Sequence, residues 1–365
     1  ITIPIDVPVY VQRGFKFITP LVNRNTIDGS SPIIGTVADN YMQINFDGLL
    51  SADRDIQIFE GDGLIWFRKQ SVEKVYVDWF GVVYNSNEAS TAIHESNSIA
   101  LQKSANSIVL DKSDVATRTL KFNAGEIIID RPIVFMSTSL DNNPFLTGIR
   151  NNGIAQSTII KLEGAEAIKH EITNGSATEI LYTAKWGSPF IFQALRNSSM
   201  KKFRIEGQNI VTARDSEWQA TLNNYVGNSF TDLVLRPDSF GDRANNCWIE
   251  NDITWMSKTP YSAIITDPFK ASSTTGGYRI GLVPESTIDL YYAVTPPNHQ
   301  NSWLVNFESM HIRNWVEGIV NTLTGQQGDT YIYKEIMFND LAVGISTVQT
   351  QSRDCKAYDL MFYGQ

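Results

Sequence analysis

The chain has 365 residues, of which 42% are hydrophobic and 19% charged, with a formal net charge of −9 and a pI near 5.0. That acidity excludes a sequence-independent grip on nucleic acid, which needs Lys and Arg against phosphates, and Lys201-Lys202 is the only adjacent lysine pair. Cys247 and Cys355 are too few for a disulfide framework or a cysteine metal site, and no apolar run reaches the 18 residues of a membrane span.

The start, ITIPIDVPVY, has neither the charged n-region nor the apolar h-region of a signal peptide. Residues 1–75 read as a separate small β-module. Its strand-like runs are Pro8–Gln12, Phe15–Ile18, Met42–Phe46, Ile56–Phe59 and Leu64–Phe67, divided by Asp28-Gly29, Asp47-Gly48 and Gly61-Asp62-Gly63. Short runs around such turns predict antiparallel pairing, with a hairpin in IFEGDGLIWF.

From Val75 the pattern changes. VYVDWFG predicts a strand ending at Gly81. Ser90 or Thr91 then caps a helix in which Ile93, Asn97, Ala100, Leu101 and Ala105 recur at helical spacing. TLKFNAGEIIID (Thr119–Asp130) gives two short strands around Asn123-Ala124-Gly125, followed by Arg131-Pro132-Ile133.

This succession resembles the start of the right-handed parallel β-helix of phage tailspikes, within the broad pectate-lyase-like group. The chain keeps Asp78-Trp79-Phe80-Gly81 and Thr91-Ala92-Ile93, and replaces the acidic, Gly-rich middle of that pattern with Val83–Glu88. The resemblance, carried by residues 75–135, implies an all-β right-handed parallel β-helix body over residues 76–365. It also implies a virion-anchoring module at 1–75, a homotrimer in the phage tail, and contacts with other tail proteins. The implied ligand is a bacterial surface polysaccharide, which many relatives cleave through Asp and Glu without an organic cofactor. A receptor-binding fibre without enzymatic activity, on the same fold, is the rival reading, and a secreted polysaccharide lyase a third.

Further along, Ser157–Leu162 and Met200–Glu206 read as strands, Ile210–Tyr225 as a helix-like excursion, and Phe230–Leu235 and Trp248–Trp255 as further strands. Five of the 13 prolines (Pro260, Pro268, Pro284, Pro296, Pro297) fall in residues 257–302, which read as a projecting insertion. The last stretch repeats itself. Met310 and Ile312 match Ile336 and Phe338 at an offset of 336 − 310 = 26, and Leu360 and Phe362 follow at 360 − 336 = 24. Asn314, Gly318 and Ile319 match Asp340, Gly344 and Ile345. Units that short cannot bury their apolar faces alone, so they must stack. The chain stops after a core strand with no polar cap, so we expect it to be part of something longer.

Aligning the strand cores (Phe203/Ile205, Leu233/Leu235, Ile253/Trp255, Met310/Ile312, Ile336/Phe338, Leu360/Phe362) puts Lys202, Asp232, Asp252, Ser309, Glu335 and Asp359 in one outward column. Strands stack about 4.8 Å apart, and glycoside hydrolases hold two carboxylates about 5 to 9.5 Å apart. Glu335 with Asp359, or Glu250 with Asp252, are therefore candidate catalytic pairs, against the alternative that an outward column is merely a solvated face. Trp248 and Trp315 are predicted outward, as platforms for sugar rings or as surfaces packed under loops or a neighbouring subunit. Met337 and Met361 are also predicted outward. His94, His170, His299 and His311 form no metal-binding spacing. Asn314 and Asp340 suggest a polar ladder between repeats.

Overall fold

Alternating apolar and polar residues make half-buried strands, which gain most when a copy of the same pattern stacks on them. The structure, a computed structural model, describes residues 1–4, 6–19, 43–61, 64–67, 71–86, 90–108, 118–130, 133–136, 159–165, 176–183, 188–193, 196–207, 259–266, 303–321, 327–339, 341, 343–347 and 351–363. Among them the fold is β throughout, apart from the helix Thr91–Ile108 and a 3-10 turn, Val77–Phe80. Every strand pairing among the described residues is parallel.

The largest sheet runs Lys74–Tyr76, Arg118–Lys121, Ile160–Glu163, Arg196–Gly207, Trp303–Arg313, Tyr331–Asn339, Lys356–Tyr363. Gly125–Ile129 and Thr178–Tyr182 join it beside the C-terminal half of Arg196–Gly207. A second sheet stacks Ile133–Met136, Phe190–Gln193, Thr259–Thr266, Trp315–Asn321 and Val343–Thr347. Met310 faces Ile336 and Ile336 faces Leu360, so the repeat read from the sequence is the register observed.

Equivalent side chains stack inward in columns. Val75, Leu120, Leu162, Met200, Phe307 and Tyr333 form one, and Ile127, Ile180, Ile205, Ile312 and Phe338 another, all at most 3% exposed. Each such side chain contributes about 1.5–3 kcal/mol of burial. Phe338 and Phe362 stack at 5.1 Å, and glycine makes room for them. A Cβ on Gly318 would lie 2.6 Å from the Phe338 ring.

Two further columns turn the chain. Asn197, Leu304, Thr330 and Asp354 form one, and Lys202, Ser309, Glu335 and Asp359 the other. All have positive φ, between 47° and 65°. The ladder steps over them: Lys201 pairs with Glu308 and Phe203 with Met310. Each is a left-handed corner that bends one long strand into two faces, at a cost of roughly 1–2 kcal/mol for most L-residues and less for Asn and Asp.

Several expectations change. Phe59–Gly61 and Leu64–Phe67 do not form a hairpin. They pair in parallel with Phe17–Thr19 and Gln43–Phe46, so the antiparallel reading of the first 75 residues is overturned. The physical reason is stacking: Phe17, Phe46, Phe59, Phe67 and Phe80 form a run of ring contacts at 5.1–5.9 Å that a flat hairpin would break. One apolar core continues across residue 75. The expected strand up to Gly81 stops at Tyr76, and Gly81, at φ 91°, caps the 3-10 turn. Phe203 pairs directly with Met310 and Ile205 with Ile312, so no strand core stands between them in this sheet. Thr259–Thr266, expected to open an insertion, is a strand of the second sheet. Residues 208–258 and 267–302, with the remaining readings made on them, lie outside the described residues.

The helix begins where expected, with the Ser90 carbonyl accepting from the amides of Ile93 and His94. Its Asn97 is fully buried and pins two segments. The Asn97 amide exchanges bonds with the Val83 backbone (2.8 and 3.0 Å) and donates to the Ile128 carbonyl (3.1 Å).

Candidate functional site

Of the residues singled out above, Trp248, Glu250 and Asp252 lie outside the described residues, as does Asp340 of the proposed polar ladder. Trp315 is a correction. It is fully buried, with its ring 5.8 Å from Tyr182. The reason is Asn314 at φ 62°: the chain leaves the first sheet there, and the in–out alternation does not carry across the corner. Met337 and Met361 keep the outward register beside His311, but Met337 is 9% exposed and covered.

Glu335 and Asp359 are both exposed, on successive repeats of the corner column. Glu335 accepts from Ser309 Oγ (2.7 Å) and lies 3.1 Å from Lys334 Nζ. Those two contacts, Ser309 first, hold its carboxyl below the usual range. Beside it runs a charge ladder in direct register, Lys121, Glu163, Lys201, Glu308, Lys334. Lys121–Glu163 is 3.3 Å and Lys334–Glu308 2.9 Å. Burial pushes Glu163 up, but Lys121 and Lys201 together outweigh it and keep the carboxyl low.

A denser arrangement lies on the outer side of the neighbouring face. In Phe203-Arg204-Ile205-Glu206 the apolar residues face the core, so strand alternation sends Arg204 and Glu206 outward. The same holds for His311 and Arg313 between Met310, Ile312 and the corner, and for Glu179 between Thr178 and Ile180. The register aligns Glu179, Arg204 and His311 in one column and Glu206, Arg313 and Asn339 in the next. Arg204 bridges the two carboxylates: Nη1 lies 2.6 Å from Glu179 Oε1 and Nη2 3.1 Å from Glu206 Oε2. Glu206 Oε1 also accepts from Asn314 Nδ2 (3.0 Å) and lies 3.3 Å from Arg313 Nε.

Though on the outer side of the sheet, these groups are largely covered; the Glu179, Arg204 and Glu206 side chains are 14%, 10% and 20% exposed. Burial raises the Glu179 carboxyl, Arg204 opposes this, and the net effect is upward. Burial, then Arg204 and Arg313, drop the His311 imidazole to about 4. Arg204 Nε has no hydrogen-bond partner, and Asn339, beside His311, acts to raise the imidazole pKa against these causes. Buried polar atoms without partners are uncommon and mark places where a ligand can supply what the protein does not. One carboxyl held toward its protonated form, beside another that accepts from Arg204 and Asn314, is the arrangement general acid–base chemistry uses. The alternation of Met200–Glu206 carries the sequence signal for this group, whereas the alignment of strand cores singles out Lys202 and its column. No group of His, Cys, Asp and Glu among the described residues could hold a metal ion.

No family model matches the sequence, nor does any curated protein. Among solved structures, the chain is similar to one described as a putative glycosyl hydrolase from Parabacteroides merdae. Identity is 11%, coverage 80% of this chain and 98% of that one, and the TM-score 0.36. It is also similar to ORF18 of Geobacillus virus E2, with 12% identity, coverage of 78% of this chain and a TM-score of 0.32. This chain spans 40% of that viral protein's length. Likeness at this level carries no argument about function.

Proposed function

We propose that this chain is a tailspike-like phage protein, built on a right-handed parallel β-helix, that binds a bacterial surface polysaccharide and hydrolyses it at Glu179 and Glu206. The observation that carries the reading is the pair of covered carboxylates bridged by Arg204, with Glu179 held toward its protonated form. In the reaction, Glu179 gives its proton to the glycosidic oxygen as the bond to the anomeric carbon breaks. Glu206 takes a proton from the water that attacks that carbon, and one water is consumed per bond cut. A guanidinium between the two carboxylates suits the wider separation of inverting glycosidases, which leaves room for that water. Arg204, Arg313 and Asn314 orient the carboxylates, and His311, covered and neutral, lies beside Arg204 in the same column.

A second reading is a receptor-binding fibre without enzymatic activity. The saturation of both carboxylates by Arg204 favours it, since such a network also serves as a structural clasp. Glu335 with Asp359, the pair expected from the sequence, is the rival site, on the corner column. The reading brings with it a homotrimer, attachment to other tail proteins through residues 1–75, and no organic cofactor. The test is incubation of the full chain with purified capsules and O-antigens, followed by sizing of the glycan. Shortened chains support hydrolysis. Binding without shortening supports the fibre, and no binding to any glycan removes both.

A further inference from the structure

A groove of about 680 Å³ opens at a corner of the stack and is lined by none of the residues of the Glu179 cluster. One wall is Arg13, Asp53, Arg54 and Asp55; the other is Asn123, Ala124 and Ala165. These residues sit on turns that follow Val9–Val11, Leu50–Ala52, Arg118–Lys121 and Ile160–Glu163. The groove exists because one turn is withdrawn: Val77–Phe80 folds inward and buries Val77, Trp79 and Phe80 in the core.

The walls are braced from behind. Arg13 Nη2 reaches both oxygens of Asp55, at 3.2 and 3.1 Å, and Trp79 Nε1 donates to the Asp53 carbonyl at 2.8 Å. Asp78 accepts from Asn123 Nδ2 (2.9 Å) and from the Tyr84 hydroxyl (3.1 Å). That fixes the Asn123 amide and leaves its Oδ1 as the acceptor facing away from Asp78. Burial raises the Asp78 carboxyl, with the Asn123 and Tyr84 bonds opposing, so it is a braced partner of Asn123 rather than a free anion.

We infer that this groove is a saccharide-holding site in its own right, selective for uncharged pyranose units and separate from the carboxylate pair. The lining charges cancel, Arg13 and Arg54 against Asp53 and Asp55, so nothing in the wall rewards an anionic or a cationic ligand. What it offers is the guanidinium of Arg54 beside the carboxylate of Asp53, whose contact with Arg13 is a long 3.9 Å. Two vicinal hydroxyls of a sugar match that set, one donating to the carboxylate and the other accepting from the guanidinium. Opposite, Ala124 and Ala165 leave a wall without long side chains, against which the C–H face of a ring packs. The volume falls within the range of small-molecule clefts. The site makes and breaks no covalent bond. It rests on the reading of the chain as a glycan binder, and it adds a second point of attachment that would keep a long chain engaged between cuts.

The experiment uses the full chain on a microarray of bacterial surface polysaccharides that carries both neutral and uronate-containing glycans. The variants are Ala165→Trp, which fills the groove, and Arg54→Ala, which removes one donor set from an exposed side chain; thermal midpoints check that both fold. The groove predicts a loss of about tenfold or more in affinity for neutral glycans in both variants, the scale of one charge-assisted hydrogen bond. Cleavage of short oligosaccharides by the Glu179 site would be unchanged. Wild-type affinity in a folded Ala165→Trp and in Arg54→Ala, or wild-type binding confined to uronate-containing glycans, overturns the inference while leaving the proposed function standing. If the wild type binds no glycan, both fall together.

Discussion

Replacing Arg204 by Met would remove the cation that, among the described residues, touches both Glu179 and Glu206, while keeping most of the side-chain volume. All three side chains are at most 20% exposed, so the carboxylates would face each other across a poorly solvated space. Breaking a buried ion pair by deleting one partner costs about 3–5 kcal/mol, most of it the penalty on the charge left behind. The loss should depend on pH. Burial already lifts Glu179 above its ordinary value, and removing Arg204 lifts it further. A protonated carboxyl needs no cation, so the penalty is full above the raised pKa and fades as pH falls through it. Urea unfolding followed by tryptophan fluorescence, at pH 7.5 and at pH near 4.5, measures both. The expected difference from wild type is several kcal/mol at the higher pH and clearly less at the lower. Glu179→Gln in the Arg204→Met background should restore part of it. An equal loss at both pH values, or one below about 1 kcal/mol at pH 7.5, would refute the cluster as described.

Three more outcomes follow from the structure, and a fourth from the proposed function. His311 is held near 4 when folded against about 6.5 unfolded, so its neutral form contributes stability that is complete above 6.5 and lost as pH falls toward 4, about 3 kcal/mol in all. His311→Gln should flatten that limb of a stability–pH curve. Gly318→Ala drives a methyl against the Gly344 carbonyl oxygen and the Phe338 ring and should cost about 1–3 kcal/mol by urea titration. Leu304→Asn relieves a left-handed corner (φ 54°) and should raise stability by up to about 1 kcal/mol; a destabilised variant would mean the corner is not left-handed in solution. Light scattering of the full-length protein should give the mass of a trimer, and a monomer mass would contradict the assembly.

The parallel repeat was legible because its residues recur at a spacing that only stacking satisfies: Met310, Ile336 and Leu360 fall in one register as read. The first 75 residues were misread because Gly61-Asp62-Gly63 looks locally like a hairpin turn, and nothing nearby in sequence reveals that Phe59 packs on Phe17 and Phe46. Glu335 and Asp359 of the acidic column stand at left-handed corners, a conformation that alternation alone does not disclose. A separate left-handed corner at Asn314 hides Trp315, since parity changes there. Glu179, Arg204 and His311 come together from strands up to 132 residues apart (311 − 179 = 132), and only the observed register joins them.

The most direct test of the central claim is the rate at which the chain shortens its polysaccharide, measured for wild type, Glu179→Gln and Glu206→Gln beside Glu335→Gln and Asp359→Asn. Losing a true acid or base should cost about three decades in rate, roughly 4 kcal/mol of barrier, with the fold intact. The account predicts that loss in Glu179→Gln and Glu206→Gln and near wild-type rates in the other two. Wild-type shortening by both Glu179→Gln and Glu206→Gln would contradict it.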